Sequence, residues 1–195
     1  MPRPIAVAIT GGIGAGKSEA LRAFARHGAA TVSSDEIVHH LLRRPYVRDA
    51  VVERMGNGIL APDGEIDRGG LATVVFNDRE ALAWLEATLH PLVAAEYLQW
   101  REQLAALPDG PAVCVTEVPL LYETGGEARF DKVVVITAPS KLRRARSEVA
   151  TDERESRLLD DREKVARADY SYKNIGTVEE LDAFVGSVMH DLAPA

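Results

Sequence analysis

The chemistry most easily read from side chains and spacing lies near the start of the chain, in Gly11-Gly12-Ile13-Gly14-Ala15-Gly16-Lys17-Ser18. This run satisfies G-x-x-x-x-G-K-[ST], in which glycines let the backbone close around a phosphate and amide hydrogens point inward. At such a loop Lys17 neutralises charge on the β- and γ-phosphates, and the Ser18 hydroxyl is offered to Mg²⁺. The alternative is a glycine turn of purely structural use. An apolar run before the motif and a helical pattern after it are the context in which it binds a nucleoside triphosphate. Gly12, Ile13, Gly14, Ala15, Gly16, Lys17 and Ser18 are therefore the expected nucleotide contacts.

A second chemical candidate is Asp35, which follows Val32-Ser33-Ser34 at the end of another apolar run. In a parallel sheet whose first strand feeds a phosphate loop, the C-terminal ends of other strands face the same crevice. Asp35 is then placed to take a proton from an attacking hydroxyl. An aspartate just before Glu36-Ile37-Val38 is equally an ordinary helix N-cap, and position leaves both readings open. The guanine motif N-K-x-D is missing, and the D-x-x-G at Asp67–Gly70 lies in a loop far from any strand. Thr116-Glu117 ends a strand with one carboxylate, not the paired acids that motor-type ATPases want. A small-molecule kinase fits the length best.

These groups need a frame. Ile5–Ile9, Ala30–Ser33, Ala112–Thr116 and Lys132–Thr137 read as buried parallel strands, rich in Val and Ile with little alternation, and Asp169–Tyr172 as a weaker fifth. Lys17–His27 reads as a helix burying Ala20, Leu21, Phe24 and Ala25, stopped by Gly28. The interval from Ile37 to Leu107 is helical in character. Ile37, Val38, Leu41 and Leu42 share one face, and a helix over Asn77–Leu89 turns Leu82, Trp84, Leu85 and Leu89 inward. His90-Pro91 is expected to break the chain before a further helix burying Val93, Tyr97, Trp100, Leu104 and Leu107. From Lys141 to Ala168 arginines alternate with acids and apolar positions are sparse. That segment reads as a solvated helix pair weakly attached to the core: either an exposed face stabilised by opposite charges, or a mobile lid whose arginines meet phosphate.

Composition bounds the remaining possibilities. With 195 residues, 46% hydrophobic, the chain has enough apolar side chains for a substantial core, so disorder is excluded. The balance of 23 basic against 30 acidic residues, net −7, argues against nucleic-acid and anionic-membrane partners. Cys114 is the single cysteine, so no internal disulfide forms, and its place in a strand argues against a reactive role. Ile5–Ile9 is too short for a signal peptide or membrane span. A soluble, cytoplasmic protein is expected; its oligomeric state is not set by these features, and a monomer fits them.

Taken together, the motifs resemble the dephospho-coenzyme A kinase family, along most of the chain. Residues 5–18, IAVAITGGIGAGKS, look like that family's opening strand and loop, and Asp35 falls on the second acid of its D-A-D segment. MGNGILAPDGEIDRGGLATVVF, Met55–Phe76, is similar to F-G-x-x-I-L-x-x-D-G-x-L-D-R-x-x-L-x-x-x-V-F. His90-Pro91 matches L-x-H-P, Pro119–Glu123 (PLLYE) matches P-L-L-F-E, and Lys164–Asn174 resembles K-x-x-x-A-D-x-x-I-x-N. The six blocks occur in family order.

The resemblance implies a phosphate-loop (P-loop) NTPase fold of the α/β class: a five-stranded parallel sheet flanked by helices, with a helical acceptor-binding subdomain and a helical lid. It implies one P-loop kinase domain over 1–195, with a core of 1–36, 108–140 and 166–195, an acceptor-binding insertion of 37–107 and a lid of 141–165. The implied reaction moves the γ-phosphoryl group of ATP, with Mg²⁺, to the ribose 3′-hydroxyl of dephospho-coenzyme A. Asp35 is then the base, Lys17 and Arg144 complete the catalytic set, and Ser18 is the metal ligand. His90, Leu120, Tyr122 and Glu123 join Asp35 on the acceptor side, and Asn174 stands near the nucleotide base. Without the resemblance, His90 reads as a partly buried histidine, Asn174 as a turn residue, and Glu117 and Glu123 as helix caps or supports for Mg²⁺ and acceptor.

The chain also departs from the family pattern. Ser33 replaces the family's first acid, removing a charge beside Asp35. Glu19 stands where threonine usually follows the loop serine, leaving its backbone amide for the nucleotide. The lid's Q-x-x-R is here Lys141-Leu142-Arg143-Arg144, which keeps the arginine and loses the glutamine; a second arginine falls on Glu148 and a later glutamine on Leu158. Arg146, Arg154 and Arg157 are nearby substitutes. Two rivals follow: a P-loop kinase for another hydroxyl acceptor, and a non-catalytic nucleotide-binding switch with a degraded lid.

Overall fold

The computed structural model describes residues 3–146 and 158–192. Five strands form one parallel sheet: β1 (Ile5–Thr10), β2 (Ala30–Ser33), β3 (Val113–Glu117), β4 (Lys132–Thr137) and β5 (Tyr170–Lys173), in the order β2-β3-β1-β4-β5. β1 is central, pairing Ile9 with Glu117 on one side and Thr10 with Val135 on the other. Alternate side chains of a strand point to opposite faces, and both faces here are covered. Val7 and Ile9 join Ala20, Ala23 and Phe24 of helix α1 (Lys17–Arg26) and Leu181, Val185 and Val188 of a C-terminal helix, Val178–Leu192. Ala8 points the other way, with Leu121, Tyr122, Val133 and Val135. Such double coverage explains why these strands read as unbroken apolar runs.

The strands fall within one residue of the expected bounds. In α1, however, Ala23 is buried and Ala25 exposed. Lys17, Ala20, Ala23 and Phe24 set the inward arc, which turns Ala25 to solvent and leaves Leu21 on the margin.

The chain divides into two units, 1–34 with 100–195 and 35–99. The second holds α2 (Ser34–Leu42, from its second residue on), α3 (Pro45–Met55), α4 (Arg68–Asn77) and most of α5 (Arg79–Ala105). Ile37, Leu41, Leu42, Val47, Val51, Ile59, Leu71, Ala81, Leu85, Leu89 and Tyr97 are its buried hydrophobic residues, and Arg44 pairs with Glu96 at 2.8 Å. The expected break at His90-Pro91 does not occur: α5 runs through, with Pro91 inside it. Ala81, Leu85, Leu89 and Tyr97 lie on one four-residue ladder, so a single buried face continues past the proline. That burial outweighs the hydrogen bond Pro91 cannot donate. Leu107, beyond the helix end, is 50% exposed instead of buried. Asp67 caps α4, accepting from the Gly69 amide at 3.0 Å, so the D-x-x-G there is a helix start.

The charged segment yields two helices among the described residues, Ser140–Arg146 (α6) and Asp161–Ala166 (α7), ahead of Val178–Leu192 (α8). Glu148, Arg154 and Arg157 lie outside the described residues. The expected weak attachment does not hold for α7. Lys164 is fully buried and pairs with Glu123 at 2.7 Å, and Glu123 also accepts from the Leu159 amide at 2.9 Å. Pairing lets a charged residue occupy an interior that its type alone excludes. Among the described residues no helix is long and apolar enough to cross a membrane.

Candidate active site

The loop Gly11–Ser18 joins the end of β1 to the start of α1, so its amides gather at a helix N-terminus where anions are stabilised. Its geometry is enforced from the neighbouring strands. Gly11 has φ +142°, and a β-carbon there would overlap the Ile136 carbonyl oxygen of β4. Gly16 has φ +103°, and a β-carbon there would overlap the Asn174 side-chain amide. Asn174 is buried; its Nδ2 donates to the Ala15 carbonyl at 2.9 Å and its backbone amide to Thr137 at 2.7 Å. It braces the loop through a side-chain hydrogen bond, a role beyond that of a turn residue.

Lys17 is buried, and its ammonium donates to the Gly12 carbonyl at 3.0 Å, curled over the loop it serves. The Ser18 hydroxyl lies 3.1 Å from Glu117 Oε2 and donates to it. Glu117 ends β3, next to β1 in the sheet, and is buried. A hydroxyl and a carboxylate converging beside a phosphate loop form the oxygen set that Mg²⁺ takes alongside nucleotide phosphates and water. Sequence reasoning ranked Glu117 below Ser18 because one acid at a strand end is a weak signal; the β1–β3 pairing is what brings it to Ser18. Glu19 is half-buried, with its carboxylate held by Arg22 at 3.1 Å and Arg26 at 3.2 Å.

The PLLYE segment is largely internal. Leu120 is half-buried, its carbonyl accepting from Thr124 Oγ1 at 2.8 Å, and Tyr122 is buried with the Arg167 guanidinium 4.2 Å from its ring centre. Burial pushes the Tyr122 phenol up from its ordinary range. Glu123 carries the Lys164 pair already described, which occupies its carboxylate with the chain's own groups. Arg144 is exposed on α6, whereas its neighbour Arg143 is half-buried against the loop. Asp35 and His90 belong to the unit 35–99 and both are exposed. Asp35 follows Ser34 directly past the end of β2, in the first turn of α2. Cys114 is buried in β3 and its thiol is pushed up to about 11 by burial, which makes it unreactive.

The sequence model of the dephospho-CoA kinase family matches residues 5–180. The chain belongs to that family. It is 40% identical to a dephospho-CoA kinase of Streptomyces avermitilis over 95% of this chain and 93% of that one. It is 37% identical to one of Protochlamydia amoebophila over 95% of each. The fold is similar to TT1252 from Thermus thermophilus (TM-score 0.79, 29% identity, covering 99% of this chain and 100% of that one). It is also similar to a dephospho-CoA kinase from Campylobacter jejuni (0.67, 25%, 96% and 97%). Membership in the dephospho-CoA kinase family gives the phosphate loop its reaction class, phosphoryl transfer to an alcohol, and makes the chain a P-loop kinase of the α/β class.

Proposed function

We propose that the chain transfers the γ-phosphoryl group of ATP to the ribose 3′-hydroxyl of dephospho-CoA, giving CoA and ADP. The observation that carries this reading is an intact phosphate loop, with Lys17 and a Ser18–Glu117 pair, in a chain of this family. The 3′-oxygen attacks the γ-phosphorus, the bond from phosphorus to the β–γ bridging oxygen breaks, and ADP departs. Asp35 takes the hydroxyl proton as the new bond forms. Its place beyond the end of β2 and its match to the family's acid support that role. Lys17 and the loop amides stabilise charge on the transferring group, and a lid arginine, Arg144 by the family's register, adds to them.

Ser18 and Glu117 would hold Mg²⁺, which would supply neutralisation of phosphate charge there. His90, Leu120 and Tyr122 are the acceptor-side assignments, and Glu123 supports them through the buried pair. A cytoplasmic site of action goes with dependence on ATP.

The test is ADP formation from Mg²⁺-ATP with and without dephospho-CoA, with the product read by mass spectrometry. CoA should appear in equal amount to acceptor-dependent ADP. Asp35→Asn should lower acceptor-dependent turnover by about 10²- to 10⁴-fold while nucleotide binding persists. Turnover near wild type would make Asp35 a helix-start residue only, and nucleotide binding without CoA would sink the acceptor assignment.

A further inference from the structure

We propose that His39, Arg43 and Arg68 form an anion site that takes the diphosphate of the acceptor, with a proton taken up at His39 as it binds. The site rests on the dephospho-CoA reading and uses residues outside the phosphate loop and the acceptor-side assignments above. All three lie in the unit 35–99. Asp35, His39 and Arg43 recur at four-residue spacing along α2 and the residue just past its end, on the side away from the buried Ile37 and Leu41. Residues four apart share a helix face, with β-carbons about 5–6 Å apart. The 3′-hydroxyl and the 5′-phosphate of one ribose are separated by a span of that order. A ribose whose 3′-hydroxyl meets Asp35 therefore brings its diphosphate within reach of His39 and Arg43.

A second element completes the cluster. Arg68, the first residue of α4, places Nη1 3.5 Å from His39 Nδ1, and the His40 ring centre stands 6.1 Å from that of His39. A guanidinium only donates, so His39 Nδ1 faces it as an acceptor and the neutral ring carries its proton on Nε2. Burial, Arg43, Arg68 and His40 all push the His39 imidazole below its ordinary range. Asp35 and Glu36 stand on the preceding turn of α2, and Asp67 beside Arg68 accepts from the Gly69 amide. Among the described residues no ion pair joins Arg43 or Arg68 to a carboxylate, whereas the adjacent Arg44 is neutralised by Glu96. In a chain of net charge −7, cations gathered without a carboxylate repel one another and are relieved by an anion. A diphosphate gives the guanidinium groups bidentate, charge-assisted bonds. Its charge also favours the protonated ring, in which both nitrogens donate. A diphosphate esterified at both ends has no proton to lose near neutral pH, so the proton that His39 gains comes from solvent.

The experiment is isothermal titration of the full chain with dephospho-CoA, the nucleotide site filled by Mg²⁺ and a non-hydrolysable ATP analogue. Buffers of different ionisation enthalpy, from about pH 5 to pH 8 where histidine titrates, give the protons taken up. Wild type should take up protons on binding. Its affinity should be full below the free-state pKa of His39 and fall as pH rises through the higher value in the complex. Arg68→Ala should weaken binding about tenfold or more, the scale of a charge-assisted hydrogen bond, and Arg68→Lys should recover part of that loss. His39→Gln should abolish the proton uptake and flatten the pH profile, whereas His40→Gln should keep both. Affinity for the ATP analogue, measured on each variant, reports that the chain is folded. In a chain that binds dephospho-CoA and makes CoA, a loss below about threefold in Arg68→Ala, or undiminished proton uptake in His39→Gln, would overturn the site. A wild-type chain that binds the analogue but not dephospho-CoA sinks the acceptor reading, and this site with it.

Discussion

The phosphate loop and the segment around α7 are held by different forces. The loop is shaped by backbone and neutral amide contacts: the Ile136 carbonyl against Gly11, and the Asn174 amide on Ala15. The α7 region is held by charge, through Lys164–Glu123, Arg143–Asp161, and Arg167 paired with Glu127 and laid over Tyr122. The difference teaches where tolerance lies. Backbone packing resists pH and salt but admits almost no change of residue. Ion pairs admit matched exchange of both partners and fail when one is removed.

The largest effect is expected from splitting the buried pair. Glu123→Gln leaves the fully buried Lys164 ammonium without its counter-charge and should destabilise the chain by about 3–5 kcal/mol. Glu123→Gln/Lys164→Met should recover most of that loss, measured by urea unfolding. If the single change costs under about 1 kcal/mol, charge does not hold α7 and the contrast with the loop fails.

On the other side of the contrast, Asn174→Ala removes the brace on Ala15 and leaves its carbonyl without that donor. A loss of about 1–3 kcal/mol is expected, with nucleotide affinity falling alongside. This loss should be the same in low and high salt. A strong salt dependence would show that charge contributes to holding the loop after all.

The smallest effect concerns acid. Asp169, between α7 and β5, is raised by burial but lowered more by Lys132 at 2.8 Å and the Val133 amide, which hold its carboxyl below the ordinary range. A depressed carboxylate adds stability that is complete above its unfolded pKa and fades as pH falls through the folded value, so the window lies below about pH 5. Asp169→Asn should cost less than about 1 kcal/mol at neutral pH, because the pair is partly exposed and screened. The variant's stability should also change less than wild type between about pH 5 and pH 2. Parallel acid unfolding curves for the two proteins would remove Asp169 from the account.

Sequence patterns were most readable where structure is local or doubly buried. The strands and α1 show as apolar runs around a motif whose glycines have no other use. Reading failed where tertiary contacts overrule local preference. Pro91 looks like a break, but the buried ladder Ala81–Leu85–Leu89–Tyr97 carries α5 through it. Gly69 and Gly70 are poor helix formers, yet they sit in the first turns of α4 behind the Asp67 cap. Lys164 belongs by type to a solvated face, and only the acid opposite it makes burial possible.

By itself, the sequence determined the phosphate loop, the strands that flank it and the family whose blocks it carries, because each rests on residues close along the chain. Only tertiary structure decided that Glu117 meets Ser18, that Asn174 braces Ala15, and that Arg143 instead of Arg144 lies on the loop. Those meetings join residues 99 and 159 positions apart, or depend on which way one turn of helix faces. Strand order and helix rotation set them, and neither has a local signal in the chain.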